Sequence, residues 1–333
     1  MSYTQILLSL FYSRIISESI YLMMKRGLTS MLTQQPCYDC PRQCGVIRPI
    51  DKTKALAPGY CHSPLQPVVA RAALHQWEEP CISGTRGSGT VFFSSCNLRC
   101  VFCQNAIISM GGQGIPITVE RLREIYGELI AKGAHNINLV TPTPYKQAIL
   151  KSLDQPLPVP VVYNCGGYES TKTIDELQGK VQIYLPDLKY MDTALAKKYS
   201  AAEDYPDIAT KAILRMYDQV GPYEMDDDGI LQKGVIIRHL ILPGCVENTK
   251  AVIDWVRSHF DDGQVLFSLM RQYVPCGRAG EFPEINRPLT DAEYDEAEQY
   301  LFDSGIEDGF VQEKGSASGD FIPSFKGEGV LPK

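Results

Sequence analysis

Three cysteines stand close together in the run Ser-Ser-Cys96-Asn97-Leu98-Arg99-Cys100-Val101-Phe102-Cys103-Gln104-Asn105. Cubane iron–sulfur clusters are usually held by four thiolates, so three at this spacing leave one iron without a protein ligand and open to chemistry. Two blander readings use the same residues: a structural zinc knuckle lacking its fourth ligand, and three buried thiols. A second group, Cys37, Cys40, Cys44 and Cys61, has the spacing C-x2-C-x3-C-x16-C. Four thiolates suit tetrahedral zinc, an auxiliary iron–sulfur cluster suits them too, and the spacing does not choose between the two; unligated thiols are the remaining reading. Loops this poor in apolar contacts gain most of their order from a bound metal. His75, Glu78, Glu79 and Cys81 fall in the connection to the first expected strand, where His75 reads as a satisfied polar residue and Cys81 as a spare thiol or a replacement ligand.

Composition sets the context for these thiols. Eight of the eleven cysteines fall between Cys37 and Cys103, which argues for metal ligation in a reducing, cytoplasmic compartment rather than for a disulfide framework. A formal charge of -7 supplies no basic footprint for nucleic acid. In residues 1–35, Arg14 and Glu18 interrupt the apolar residues, so no stretch is long enough to span a bilayer and no signal peptide is evident. That segment reads as a helical extension. Residues 36–89 read as an irregular Cys-rich module, 90–312 as the catalytic body and 313–333 as a tail.

Beyond Gly89, short β-rich runs alternate with helical periods, as repeated β-α units around a parallel sheet do. Strands are expected at 91–93, 137–140, 159–163, 181–185, 235–242 and 265–269. Thr118 is placed to cap a helix with Leu122, Ile125, Tyr126 and Leu129 on its apolar face, and Thr290 with Glu293 forms a capping box. Six strands make a partial (β/α)6, TIM-like barrel, whose reactive groups gather at the C-terminal strand ends. A doubly wound sheet is the competing architecture, but no G-x-G-x-x-G turn follows an early strand.

The spacing C-x3-C-x-Φ-C, with Phe102 in the aromatic slot, resembles the radical S-adenosylmethionine (SAM) superfamily. From Cys37 onward the chain is similar to homologues of the pyruvate formate-lyase activating enzyme, in particular the branch labelled PflX. The stretches that carry the likeness are Cys40-Pro41-Arg42-Gln43-Cys44-Gly45, Glu78-Glu79-Pro80-Cys81-Ile82-Ser83-Gly84, Asn138-Leu139-Val140-Thr141-Pro142-Thr143 and Met270-Arg271-Gln272-Tyr273. The resemblance implies a [4Fe-4S] cluster on Cys96, Cys100 and Cys103, whose open iron chelates SAM while Phe102 lies beside the adenine. It further implies that the reduced cluster passes one electron to SAM, releasing methionine and a 5′-deoxyadenosyl radical.

SAM presents a carboxylate, a ribose diol and an adenine. Activases carry an Asp-Leu-Lys at the end of the fourth strand and an Arg in the fifth, and this chain has Asp187-Leu188-Lys189 and Arg238. The resemblance therefore assigns Lys189 and Arg238 to the SAM carboxylate, Asp187 to the ribose, and Asn164 with Gly166 to the end of the third strand. Against this stand a plain Asp187–Lys189 surface pair and an Arg238 that only braces the barrel floor. The chain departs from the family where a Gly-Gly-Glu segment holds the SAM amino group: it has Thr141-Pro142-Thr143-Pro144-Tyr145, so the hydroxyls of Thr141 and Thr143 and the freed carbonyls become the substitutes. The resemblance implies an electron donor such as flavodoxin or ferredoxin. It leaves three readings: activation of a glycyl-radical enzyme, hydrogen abstraction from a small molecule, and non-enzymatic electron transfer.

Overall fold

The computed structural model describes residues 32–52, 56–312 and 323–332. The expected N-terminal helical extension and part of the expected tail therefore lie outside the described residues.

Strand β1 (Val68–His75) runs antiparallel both to β2 (Ser88–Phe93) and to the two-residue β3 (Ile115–Pro116). From β2 onward the pairings are parallel, through β4 (Ile137–Val140), β5 (Val161–Cys165) and β6 (Ile183–Pro186). A short β7 (Glu224–Met225) flanks β8 (Leu231–Leu240), and β9 (Leu266–Met270) and β10 (Gly309–Val311) continue the parallel run. The order β2-β4-β5-β6-β8-β9 follows the sequence without reversal, so there is no switch point of the doubly wound kind. These six strands match the six expected ones; five are buried throughout, and in β8 the buried run is Gly234–Ile237, which explains why they read as apolar runs. The mixed α/β fold is thus a largely parallel sheet of alternating strands and helices. Strand β1 is a difference from expectation, because an irregular stretch was anticipated over it; its Val-Val-Ala-Arg-Ala-Ala run is held by pairing with β2 rather than by local pattern.

The helices are α1 (Pro80–Ser83), α2 (Ala106–Ser109), α3 (Val119–Ala131), α4 (Lys146–Ser152), α5 (Thr171–Glu176), α6 (Thr193–Ser200), α7 (Tyr205–Val220), α8 (Val246–His259) and α9 (Asp291–Ser304). Thr118 caps α3 by accepting the Arg121 N–H, and Thr290 with Glu293 forms the capping box of α9. α1 plugs the barrel floor, where Cys81 and Ile82 pack against Val162, Ile183, Leu185, Leu231, Ile236 and Leu266. Asn136 fixes the plug by donating to Ile82 O at 2.7 Å. Cys81 is therefore an apolar filler and not a replacement ligand. At the outer edge, Ala72 donates to Glu328 O and Gly327 to Ala70 O, so the C-terminal segment covers the free side of β1.

The Cys-rich segment begins as a tight hairpin in which Cys37 N–H reaches Val46 O and Gly45 N–H reaches Cys37 O, both at 2.9 Å. Its anchor to the barrel is ionic. Asp39 accepts Lys146 Nζ at 2.7 Å and Arg48 at 3.3 Å, and Arg48 also donates to Pro144 O at 2.5 Å. Tyr60 lies between two guanidinium groups, Arg42 at 3.8 Å and Arg99 at 4.3 Å from its ring centre. Arg99 belongs to the Cys96–Cys103 loop, and Arg42 donates to Asn97 O in the same loop.

His239, on the outer face of β8, bonds Leu188 O through Nδ1 (2.6 Å) and Thr249 Oγ1 of α8 through Nε2 (3.0 Å). Burial pushes its pKa down to about 4, from an ordinary 6.5. The unfolded chain then takes the proton first, so the stability contributed by the neutral ring is complete above pH 6.5 and declines as pH falls toward 4, by about 1.4 kcal/mol per unit. Melting curves between pH 7 and 5.5 are expected to show a steeper loss for the native chain than for His239→Asn, and equal slopes would contradict this.

Candidate active site

The C-terminal strand ends converge on one cavity of about 190 Å³. β2 delivers the cysteine loop through Ser95, whose φ of 71° places a non-glycine residue in the left-handed region. Thr141, following β4, is held the same way with φ 58°. Cys96, Cys100 and Cys103 all line the cavity, together with Phe102, Thr141, Asn164, Gly166, Asp187, Lys189 and Arg238.

Each thiol in the loop has a donor beside its sulfur. Leu98 N–H donates to Cys96 Sγ at 3.3 Å, Ser200 Oγ to Cys100 Sγ at 3.0 Å, and Ser109 Oγ lies 3.3 Å from Cys103 Sγ. Burial raises the pKa of Cys96 and of Cys103, the charge of Cys100 adds to the cost of both, and Lys189 works against both. A positive centre in the cavity would relieve all of these penalties. Cys165 also lines the cavity, where burial and then the Glu169 charge raise its pKa. Among the described residues, no three His, Cys, Asp or Glu side chains surround a point as a ready single-ion site. Three thiols spread around a cavity fit a cluster whose ligands bind separate irons.

Arg238 organises the polar side. Its guanidinium contacts Asp187 at 3.0 Å, Asn164 Oδ1 at 2.7 Å and Glu78 at 3.2 Å, while Lys189 Nζ reaches the other Asp187 oxygen at 2.6 Å. Burial would raise the Asp187 carboxyl, but Lys189 and Arg238 outweigh it and hold its pKa below the ordinary value. Asp187 and Lys189 are both 16% exposed, which rules out a plain surface pair. Tyr205 Oη accepts the Lys189 N–H at 3.0 Å and sits 2.6 Å from Asp187 O, and Asn248 donates to Lys189 O at 3.0 Å, so the Asp-Leu-Lys turn is fixed by its backbone.

One expected residue does not join the others. Thr143 is buried and gives its hydroxyl to Glu169 at 2.5 Å, because the prolines on either side turn it outward beneath the Cys-rich segment. It does not line the cavity, so of the two threonines only Thr141 remains beside the thiols. Sequence reasoning also missed Glu78 and Asn138. Glu78 accepts Asn138 Nδ2 at 3.1 Å and closes the Arg238 network from below. Two adjacent acids ahead of a proline-started buried turn were the available signal.

In the Cys-rich segment, the pKa values of Cys37 and Cys40 are raised, with Cys61 near enough to both to contribute. Burial is the larger cause, and it pushes Cys40 up to about 12. Cys44 Sγ accepts Tyr60 N–H at 3.4 Å. No helix among the described residues is long and apolar enough to cross a membrane.

No protein-family model matches the chain. It is 30% identical over 276 residues, 80% of its own length and 73% of the relative's, to "Uncharacterized protein MJ0674" of Methanocaldococcus jannaschii. In solved structures it is similar to Streptococcus suis SuiB bound to precursor peptide SuiA, with a TM-score of 0.48 and 14% identity over 67% of this chain. The chain spans about half the length, 47%, of that structure. It is also similar to a domain of pyruvate-formate lyase-activating enzyme from Bacteroides vulgatus, with a TM-score of 0.33, 14% identity, and coverage of 59% of this chain and 91% of that one.

The buried charges make Arg238 a structural as well as a site residue. Arg238→Met leaves Asp187 and Glu78 short of a counter-charge, and losses of this type cost about 3–5 kcal/mol. Urea denaturation of the full chain is expected to show a loss of that size. A loss below about 1 kcal/mol would mean that the carboxylates do not depend on it.

Proposed function

The chain belongs to the family of the Methanocaldococcus jannaschii protein, and we propose that it is a radical SAM iron–sulfur enzyme. The observation that carries this reading is the shared cavity, in which the Cys96, Cys100 and Cys103 thiols meet Asn164, Asp187 and Lys189 from three successive strand ends. The three thiols would hold a [4Fe-4S] cluster with one iron left for SAM. When bound, the reduced cluster supplies one electron to SAM, whose sulfonium then breaks to give methionine and a 5′-deoxyadenosyl radical that abstracts hydrogen.

The chain's own residues bind and orient. Lys189 is the cation for the SAM carboxylate, since among the described residues its ammonium contacts one carboxylate, Asp187, and two of its three N–H donors remain for a ligand. Asp187 and Asn164 face the ribose, Gly166 lets the backbone approach, and Phe102, packed 6.0 Å from Tyr273, gives the adenine an apolar face. Thr141 O and Oγ1 are the acceptors left for the amino group. Arg238, engaged by three partners, positions Asp187 and Asn164. Ligand water is kept out by Phe93, Leu98, Leu240 and Met270 on the same cavity wall.

The Asp187-Leu188-Lys189 turn and Arg238 support activation of a glycyl-radical enzyme. A second cavity beside the first supports the other substrate reading, a group compact enough to occupy about 290 Å³. Cys37, Cys40, Cys44 and Cys61 are not gathered around one point in the structure, so the separate metal we assign to them, zinc or an auxiliary cluster, would have to draw the four thiols together; a flavodoxin or ferredoxin would be the electron source.

Two variants test the reading. Cys100→Ala, reconstituted anaerobically, is expected to lose the [4Fe-4S] signal and SAM cleavage; retention of both would sink the assignment. Lys189→Met removes a charge-assisted contact worth roughly 1.5–3 kcal/mol, so SAM should bind about one to two orders of magnitude more weakly while cluster assembly survives. Titrating SAM against the reduced cluster by electron paramagnetic resonance reads both. An unchanged midpoint would take Lys189 out of the site.

A further inference from the structure

The second cavity, of about 290 Å³, shares Asn164, Arg238, Gln104 and Gln272 with the thiol cavity, so a group held in one lies beside a group held in the other. Its remaining wall includes His75, Trp77, Glu78, Glu79 and Phe310. The charges there do not balance. Arg238 is the cation of this wall, and it is already divided among Asp187, Glu78 and the Asn164 amide. His75 is neutral at physiological pH, since burial lowers its pKa to about 4. Glu79 is left over. It is 91% buried, faces the cavity, and its Oε2 has no hydrogen-bond partner among the described residues.

A buried carboxylate oxygen without a partner is costly, and the cost is recovered by a cation or a strong donor placed against it. Nothing about holding the barrel floor requires this arrangement. Glu78 already satisfies Asn138 and Arg238, and the plug is fixed by Asn136 and Ile82. Trp77 and Phe310 add aromatic surface to the same wall, which favours a positively charged group over a neutral donor. We propose that this cavity binds the substrate through a positively charged nitrogen, an ammonium or a guanidinium, set against the Glu79 carboxylate. The proposal rests on the radical SAM reading for what happens to that substrate, but the binding itself does not depend on it.

The test uses the full chain and simple probes. Butylammonium and butylguanidinium are titrated by ligand-observed NMR beside the neutral butanol and the anionic butyrate. N-acetyl-lysine methylamide is added as a peptide-like probe. The cations are expected to bind at least tenfold more tightly than butanol, with butyrate weakest. Glu79→Gln should remove that preference while keeping the melting temperature and, in reconstituted protein, the SAM-induced change in the cluster's resonance signal. Tighter binding of the lysine derivative than of butylammonium supports the site with a peptide substrate, and the reverse supports it with a free amine. Equal binding of butanol and butylammonium, or an unchanged cation preference in Glu79→Gln, overturns the proposal. The two readings fail separately: absence of SAM cleavage with a preserved cation preference removes the radical chemistry and leaves the site, and SAM cleavage without that preference does the opposite.

Discussion

The Arg238 guanidinium is the constraint around which the interior is arranged. A buried cation is tolerated only where its donors find partners, and those of Arg238 on β8 come from three other pieces of chain: Asp187 after β6, Asn164 on β5 and Glu78 before α1. The ring of contacts therefore sets the relative heights of three strands and of the plug beneath them. Above it lie the thiols and Lys189; below it an apolar cluster packs around the plug, which Asn136 pins. A single side chain thus marks the level at which the barrel changes from structural filling to chemistry. Buried ion networks seldom add net stability over well-packed apolar groups, so the return for this one lies in geometry.

The same layer explains how the site combines rigidity with accessibility. The Asp-Leu-Lys turn is held from behind by Tyr205, Asn248 and His239, and these partners leave the Lys189 ammonium itself facing the cavity. The cysteine loop is held from outside, by Arg42 on Asn97 O and by the stacking of Arg99 on Tyr60. Tyr60 is flanked by Cys61 and donates its N–H to Cys44, so the Cys-rich segment and the cysteine loop share one tyrosine. Ligation in either would be felt by the other through that ring.

Much of the architecture was legible because the six parallel strands are largely buried on both faces and so appear as apolar runs, and because Thr118, Thr290 and Glu293 announce their helices directly. Strand β1 was not, since its Ala-Arg-Ala core carries little β preference and owes its form to pairing with β2. In the site, Cys96, Cys100 and Cys103 could be read from spacing, and Asp187, Lys189 and Arg238 from the likeness to activases. Thr143 could not be placed, because whether a hydroxyl after a Pro faces inward depends on the turn and on Glu169, 26 residues later. Glu78 and Glu79 were passed over as site residues for a related reason: acids in a connection usually point to water, and the packed sheet shows that these two are enclosed.

The anchoring of the Cys-rich segment has a consequence in time. Asp39 meets Thr173 across 134 residues of chain, Arg48 meets Pro144 across 96, and Arg42 meets Ala201 across 159. A chain made from its N-terminus exposes the four thiols of this segment long before their landing surface exists, and contacts of such separation form late. The successive barrel strands, each paired to a near neighbour in sequence, can assemble in the meantime. Maturation is thereby ordered by geometry: the early thiols are made while still undocked, and Arg42 reaches its acceptor Ala201 only after β6 and α6 have been synthesised.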